Sequence, residues 1–219
     1  MNEIAEISLR SIYVNSSAIL ISTVIAVPLA LVVDFFSFKF KKTVVLTFQT
    51  LTGVPPVLIG LLVYLLLSRN GPMGNLDLLF TSAAMIFAQV LIAIPIIFSV
   101  CYSHFSKVDE KLRIIMKTLG ANKFQQMMGI LEESFAGVIN AILTAFGRVV
   151  GEVGAVMIVG GNISGKTRIL TTSIVLYTNM GRFESAIISG IVLLCIAFTI
   201  NWVVIFISNI WRVHDVVRD

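Results

Sequence analysis

The sequence predicts an all-α integral membrane protein with five transmembrane helices and one long polar loop built from two short helices. Three observations carry that prediction. Of the 219 residues, 57% are apolar and only 13% are charged, where a soluble domain carries about 25% charge. Mean hydropathy is +0.97. Uncharged or nearly uncharged runs recur along the chain, each long enough, at about 20 residues, to cross a bilayer as a helix. The runs do not alternate with period two, so they read as helices and not as barrel strands.

Taken in order, the first run is Ser11 to Val33, between Arg10 and Asp34. Thr43 to Leu67 is the second and Leu78 to Tyr102 the third; Ala186 to Ile207 is the last. Gly137 to Val159 is apolar apart from Arg148 and Glu152, and reads as the fourth crossing. The chain, 1–219, is thus a single transmembrane domain. Pro28 and Pro95 read as ordinary kinks. Gly53-Val54-Pro55-Pro56 removes two backbone donors in succession, so a kink and a break lining a pathway both stay open there. Cys101 and Cys195 sit in apolar runs without a CxxC pair and read as structural thiols, not as a disulfide or metal ligands.

Lysine and arginine set the orientation. Lys39, Lys41, Lys42, Lys107, Lys111, Arg113, Lys117, Lys123, Arg212 and Arg218 fall on one set of loops; Arg10, Arg69, Lys166, Arg168 and Arg182 fall on the other. The bias places the N-terminus outside and the C-terminus in the cytoplasm, as an odd number of spans requires. Net charge is only +4, and the basic residues follow this topology instead of forming a nucleic-acid patch. Glu3 and Glu6 before a lone Arg10, ahead of so long an apolar run, are unlike a cleaved signal peptide.

The cytoplasmic stretch from Lys107 to Glu133 is patterned. Leu112, Ile115, Met116 and Leu119 recur at i, i+3, i+4 and i+7, and Phe124, Met127, Met128 and Leu131 repeat the spacing. Gly120 stops the first helix, as a residue tolerant of positive φ does. Two short amphipathic helices therefore meet at Thr118 to Asn122. Periodicity is equally consistent with a helix pair lying on the membrane and with an element docking into a groove of a soluble partner.

Lys117-Thr118-Leu119-Gly120-Ala121-Asn122-Lys123-Phe124 resembles the cytoplasmic "EAA" loop of ABC-importer permeases. Where that family has Glu-Ala-Ala this chain has Ile114-Ile115-Met116, and Glu132-Glu133 stands where a Leu-Pro closes the motif. Downstream, Phe146-Gly147-Arg148, Gly151-Glu152-Val153-Gly154-Ala155, Gly160-Gly161-Asn162 and Thr167-Arg168 resemble the molybdate, sulfate and tungstate branch. The doubled glycine, Leu170-Thr171-Thr172, Leu67-Ser68-Arg69 and Gly71-Pro72 look most like its tungstate-type members. The resemblance implies a type I importer permease of the cell membrane, importing a tetrahedral oxyanion, tungstate first and molybdate or sulfate as alternatives. It implies that Lys117, Thr118, Leu119, Gly120, Ala121 and Phe124 couple to an ATPase. It also implies a homodimer, two copies of a separate ATPase subunit that uses the ATP, an external substrate-binding protein, and no cofactor or metal on this chain.

Gly160-Gly161-Asn162-Ile163-Ser164-Gly165-Lys166-Thr167 satisfies GxxxxGK[ST]. No α/β unit surrounds it, no strand ending in Asp supplies a magnesium ligand, and topology places the loop outside. It is therefore not expected to be a nucleotide site, although a glycine-rich loop bearing Lys166 and Arg168 has the character to draw in an anion. Arg148 and Glu152, at i, i+4, are the charges expected within a span. Such charges cost about 2.5–3.5 kcal/mol each on insertion scales, so they demand a partner or a wet cavity. A structural bridge and an Arg148 facing the anion's path both remain open. Neither a Ser/His/Asp set, nor a carboxylate pair, nor a His cluster points to a membrane enzyme, and His104 and His214 stand alone. An autonomous channel or secondary transporter would call for an internal repeat, and it leaves the patterned loop unexplained.

Overall fold

The computed structural model describes residues 2–216, and side chains from 3 to 206. Among the described residues there are ten α-helices, a short 3-10 turn and no strand. Arg218 lies outside them, as do the side chains of Arg212 and His214. α1 (Asn2–Phe35) runs unbroken through Pro28, and α4 (Ser82–Phe105) through Pro95. With α10 (Phe183–Val216) they supply three helices long and apolar enough to cross a membrane, or up to five crossings when two bent helix pairs are each counted as one.

Both bends have causes in the sequence. α2 (Lys41–Leu51) and α3 (Pro56–Leu67) meet at 101°. Val54 precedes a proline and is kept out of the helical region. Pro56 takes the first position of α3, where no N–H is needed. The Gly53 to Pro56 cluster is therefore a sharp break and not a soft kink. The second bent pair joins α6 (Lys123–Glu133) to α7 (Phe135–Val150) at 65°.

The stretch 137–159 is not one continuous helix, as the apolar run suggests. α7 ends at Gly151 and a separate short helix, α8 (Gly154–Gly160), follows. Gly147, Gly151 and Gly154 weaken helix propagation here. Glu152 completes the interruption: its Oε1 accepts the Ala155 N–H at 3.0 Å, in the first turn of α8. The remaining helices are α5 (Glu110–Thr118) and α9 (Leu170–Asn179).

α4 is the centre of the bundle, with α1 and α7 along it. Apolar contact between helices gains little in lipid, so polar links and close approach matter more. Gln89 Nε2 of α4 donates to Asn15 Oδ1 of α1 at 2.9 Å, and Ser22 Oγ donates to the Val90 carbonyl at 3.4 Å. α3 and α8 approach closely at Gly60, where a Cβ would lie 2.6 Å from the Ala155 Cα. Two buried clusters result. One, at the loop end, contains Phe98, Phe105, Ile130 and Phe146. The other, at the opposite end, contains Val14, Val63, Met85, Val156 and Ile169. Cys101 is buried, Cys195 is exposed, and both thiols are free. α10 packs mainly on α9 and α7, and only 6% of its apolar window is buried within the protomer.

Candidate functional site

The polar loop is built by its caps. Asp109 Oδ1 accepts the Lys111 N–H at 2.9 Å and opens α5. At the other end the Ala121 N–H returns to the Met116 carbonyl at 3.0 Å and the Gly120 N–H to that of Lys117 at 3.2 Å. These are the two bonds of a Schellman ending. Gly120 has φ +80°, the left-handed conformation that ending needs. Asn122 then starts α6 by a capping box. Its Oδ1 accepts from the Gln125 N–H at 2.9 Å, and Gln125 Oε1 accepts from the Asn122 N–H at 2.8 Å.

The predicted apolar stripes are divided between two surfaces. Met116, Met127, Met128 and Leu131 pack onto the core beneath the loop. Ile115, Leu119 and Phe124 stay outside, with Leu119 81% and Phe124 63% exposed, and Ile114, not part of the predicted stripe, is exposed beside them. Lys117 and Thr118 are also exposed on this tip and Ala121 is half-buried. These apolar side chains are thus exposed together at the end of two well-capped helices.

A clasp ties α5 to the bundle. Arg113 Nη2 lies 2.7 Å from Asp34 Oδ2 and also donates to the Phe105 carbonyl at 2.8 Å. The Asp34 side chain is only 5% exposed and that of Arg113 27%. One guanidinium thus joins the loop to the ends of both α1 and α4. Lys41 Nζ donates to the Asp34 carbonyl at 2.6 Å and draws the start of α2 to the same point.

At the opposite end, Gly160 to Arg168 form a self-bonded loop. Gly161 and Asn162 have φ +70° and +50°. The buried Thr167 hydroxyl donates to the Gly160 carbonyl at 2.6 Å and accepts the Ile163 N–H at 2.9 Å. The N–H groups of Lys166, Thr167 and Arg168 all turn to the Ile163 carbonyl. A phosphate cradle needs such amides pointing outward from a strand-to-helix turn; here they are used internally and a helix, α8, leads in. Arg10 of α1 donates to the carbonyls of Gly165 and Arg168 at 2.8 and 3.1 Å, Arg168 pairs with Glu3 at 3.1 Å, and the Leu170 N–H reaches Ser11 Oγ at 2.8 Å. The loop is therefore fastened to the first helix.

Arg148 and Glu152 do not share a helix. Arg148 is in the last turn of α7 and Glu152 lies beyond its end. Their closest approach is 3.8 Å, with side chains 45% and 6% exposed. Glu152 is committed to α8 through Ala155, and its own carbonyl accepts from Thr171 Oγ1 at 3.1 Å. The two residues thus play different parts: a buried helix cap, and a cation half in the open beside it.

Residues 10–212 match the profile of a family described as the binding-protein-dependent transport system inner membrane component. The chain belongs to that family. Its helical architecture is the type I ABC importer permease fold. The chain is similar to a tungstate uptake system permease protein TupB of Peptoclostridium acidaminophilum, 41% identical over 89% of this chain and 85% of that one. A probable anion ABC transporter permease protein of Haloferax volcanii is 36% identical over 90% of this chain and 88% of its own. The Campylobacter jejuni TupB, also named a tungstate uptake system permease protein, is 37% identical over 77% and 71%.

In this inner membrane component the patterned loop and the Arg148–Glu152 pair are legible in the sequence, and the Asp34–Arg113 clasp is not. In the sequence Asp34 marks only the end of an apolar run and Arg113 is one basic residue among several on its loop. The available signal was an acid closing a long apolar run, which must find a partner if it is buried.

Proposed function

We propose that this chain is the permease subunit of an ATP-driven importer of a tetrahedral oxyanion, tungstate before molybdate or sulfate. It works as a homodimer with two ATPase subunits and an external binding protein, binds no cofactor of its own, and leaves hydrolysis to the ATPase. Its N-terminus lies outside and its C-terminus in the cytoplasm. The observation that carries this reading is the exposed tip of Ile114, Ile115, Leu119 and Phe124 on a loop clasped to the bundle by Arg113. Such a tip suits insertion of an apolar helix end into a groove of a soluble partner, and Lys117, Thr118, Gly120 and Ala121 frame it. The similarity to proteins named for tungstate uptake supports the cargo.

Within this reading Arg148, half-exposed at the break after α7, supplies positive potential to the path. Gly160, Gly161, Asn162, Thr167 and Arg168 shape the outer loop. Anion binding in the path is weak, because a tight site would halt transport; selectivity then belongs to the external binding protein. The test is uptake by vesicles carrying the reconstituted complex, with tungstate, molybdate and sulfate in competition. Tungstate accumulation dependent on ATP supports the reading. Accumulation without ATP or without the ATPase subunit would favour an autonomous channel or secondary transporter instead.

A further inference from the structure

A basic cleft at the start of α2 is unused by the coupling loop and by the charged pair. It has a volume of about 410 Å³, and Lys39, Lys41, Lys42 and Tyr102 are among its walls. Among the described residues none of these three lysines pairs with a carboxylate. Asp34 offers Lys41 only its backbone carbonyl, its carboxylate being taken by Arg113. Aromatic rings hold two of the ammoniums: Lys41 Nζ is 5.8 Å from the centre of Tyr102, and Lys39 Nζ 6.0 Å from that of Phe40. Lys123 of α6 sits similarly over Phe36, at 5.5 Å. The first turn of α2 carries no acid and has no side-chain cap, so the positive end of its dipole adds to the same site. Phe38, Phe40 and Leu46 are exposed around the cleft. Clustered cations above exposed apolar groups, beside the end of a membrane helix, match one occupant in both halves: a phosphate headgroup with its acyl chains.

We propose that this cleft holds an anionic phospholipid of the cytoplasmic leaflet, its phosphate among Lys39, Lys41 and Lys42 and its chains along Phe38, Phe40 and Leu46. The proposal rests on the orientation given above, which places these lysines inside. Occupancy would anchor the start of α2 beside the point where Asp34, Arg113 and Lys41 meet.

The experiment uses the full chain in nanodiscs and in detergent, with phosphatidylglycerol and phosphatidylcholine as probes, read by native mass spectrometry and by quenching from labelled lipid. Lys41 is kept because it bonds within the fold, and Lys39→Gln/Lys42→Gln is compared with Lys39→Arg/Lys42→Arg. A lysine near an anionic surface is worth about fivefold in affinity. The glutamine pair should therefore lose about 25-fold in phosphatidylglycerol affinity, the arginine pair should keep it, and phosphatidylcholine should respond to neither. Water-soluble glycerophosphoglycerol and inorganic phosphate should compete only weakly, which separates a lipid site from a free-phosphate site; full competition by phosphate would overturn the lipid assignment. Equal affinity for the two lipids in the unaltered chain would overturn the site. Protection of Lys39 and Lys42 from amine modification by the ATPase subunit, and not by lipid, would show an acidic protein surface as the occupant and overturn it too. Labelling of Lys42→Cys from outside would overturn the orientation, and is distinct from a loss of lipid selectivity.

Discussion

Breaking the Asp34–Arg113 clasp should affect the two partners unequally, and their burial says which loses more. Asp34→Asn removes the charge but keeps a neutral acceptor, and it leaves Arg113 with the Phe105 carbonyl and with water, since that side chain is 27% exposed. The cost should be about 1.5–2 kcal/mol, the lower part of the range for a hydrogen bond to a charged group, because Arg113 keeps a partner. Arg113→Met leaves a carboxylate that is 5% exposed without its cation. Breaking a fully buried pair in this way costs about 3–5 kcal/mol. Lys41 Nζ, already on the Asp34 carbonyl, is placed to offset part of that, so about 3 kcal/mol is expected. The double variant should recover at least about 1 kcal/mol relative to the sum of the singles, because neither charge is then stranded. Stability is to be measured by denaturant titration of the purified chain, and coupling by stimulation of the cognate ATPase. Both singles should insert yet stimulate hydrolysis poorly, Asp34→Asn because the tie of α5 to α1 is weakened, and Arg113→Met more so because the tie to α4 is lost as well. Additive single effects in the cycle would refute the clasp as an energetic unit. Full ATPase stimulation in a destabilised Arg113→Met protein would refute its part in coupling.

Three further outcomes are expected. Gly120→Val meets no neighbour, since nothing lies within 4 Å of its Cβ, but it must hold φ +80°; the strain of at least about 1–2 kcal/mol should spare insertion and impair ATPase stimulation, and unchanged stimulation would leave the loop a mere surface helix pair. Gly60→Val drives a side chain into the Ala155 backbone and should cost about 1–3 kcal/mol by overpacking, whereas Gly147→Ala, with open space around it, should be tolerated; equal melting temperatures for the two would disprove close packing of α3 on α8. Arg148→Met should lose under about 1 kcal/mol, as suits a half-exposed ion, yet slow uptake several-fold, while Glu152→Gln, which weakens the cap on α8, should be the less stable of the two; normal uptake by a stable Arg148→Met protein would remove Arg148 from the path.

Elements with a local cause could be read from the residues. The apolar runs around α1, α4 and α10 were visible because each is long and uncharged. The ending at Gly120 was visible because a helix stripe stops at a residue made for positive φ. Asn122 and Gln125, three residues apart, spell the capping box that opens α6. Elements with a distant cause were hidden. Nothing near Asp34 names Arg113, 79 residues on, and nothing near Arg10 names the Gly165 and Arg168 carbonyls. The 137–159 run looks continuous because hydropathy ignores backbone. The break is set by clustered glycines and by Glu152 turning onto Ala155, so a spacing that suggests one helix face belongs to two helices. The division of the loop's apolar stripes was hidden for a similar reason, since periodicity gives a face but not which part of that face the bundle covers.

These distant contacts have an order of their own, and α1 is what orders them. Its 34 residues span about 50 Å at 1.5 Å per residue. One end holds the loop through Asp34 and Arg113, and the other holds the glycine-rich loop through Arg10, Glu3 and Ser11. Between them the Asn15–Gln89 and Ser22–Val90 bonds fix the same helix to α4. A continuous helix tied at both ends moves both ties when either is displaced, because stretching it would break backbone bonds along its length. α1 thus connects the base of the loop that bears Leu119 and Phe124 directly to the loop at Gly160 to Arg168. The one weak place on that rod is Pro28, where an internal N–H is missing. It lies on the loop side of the Ser22 contact, so flexure there would absorb part of the displacement before it passed the α4 junction.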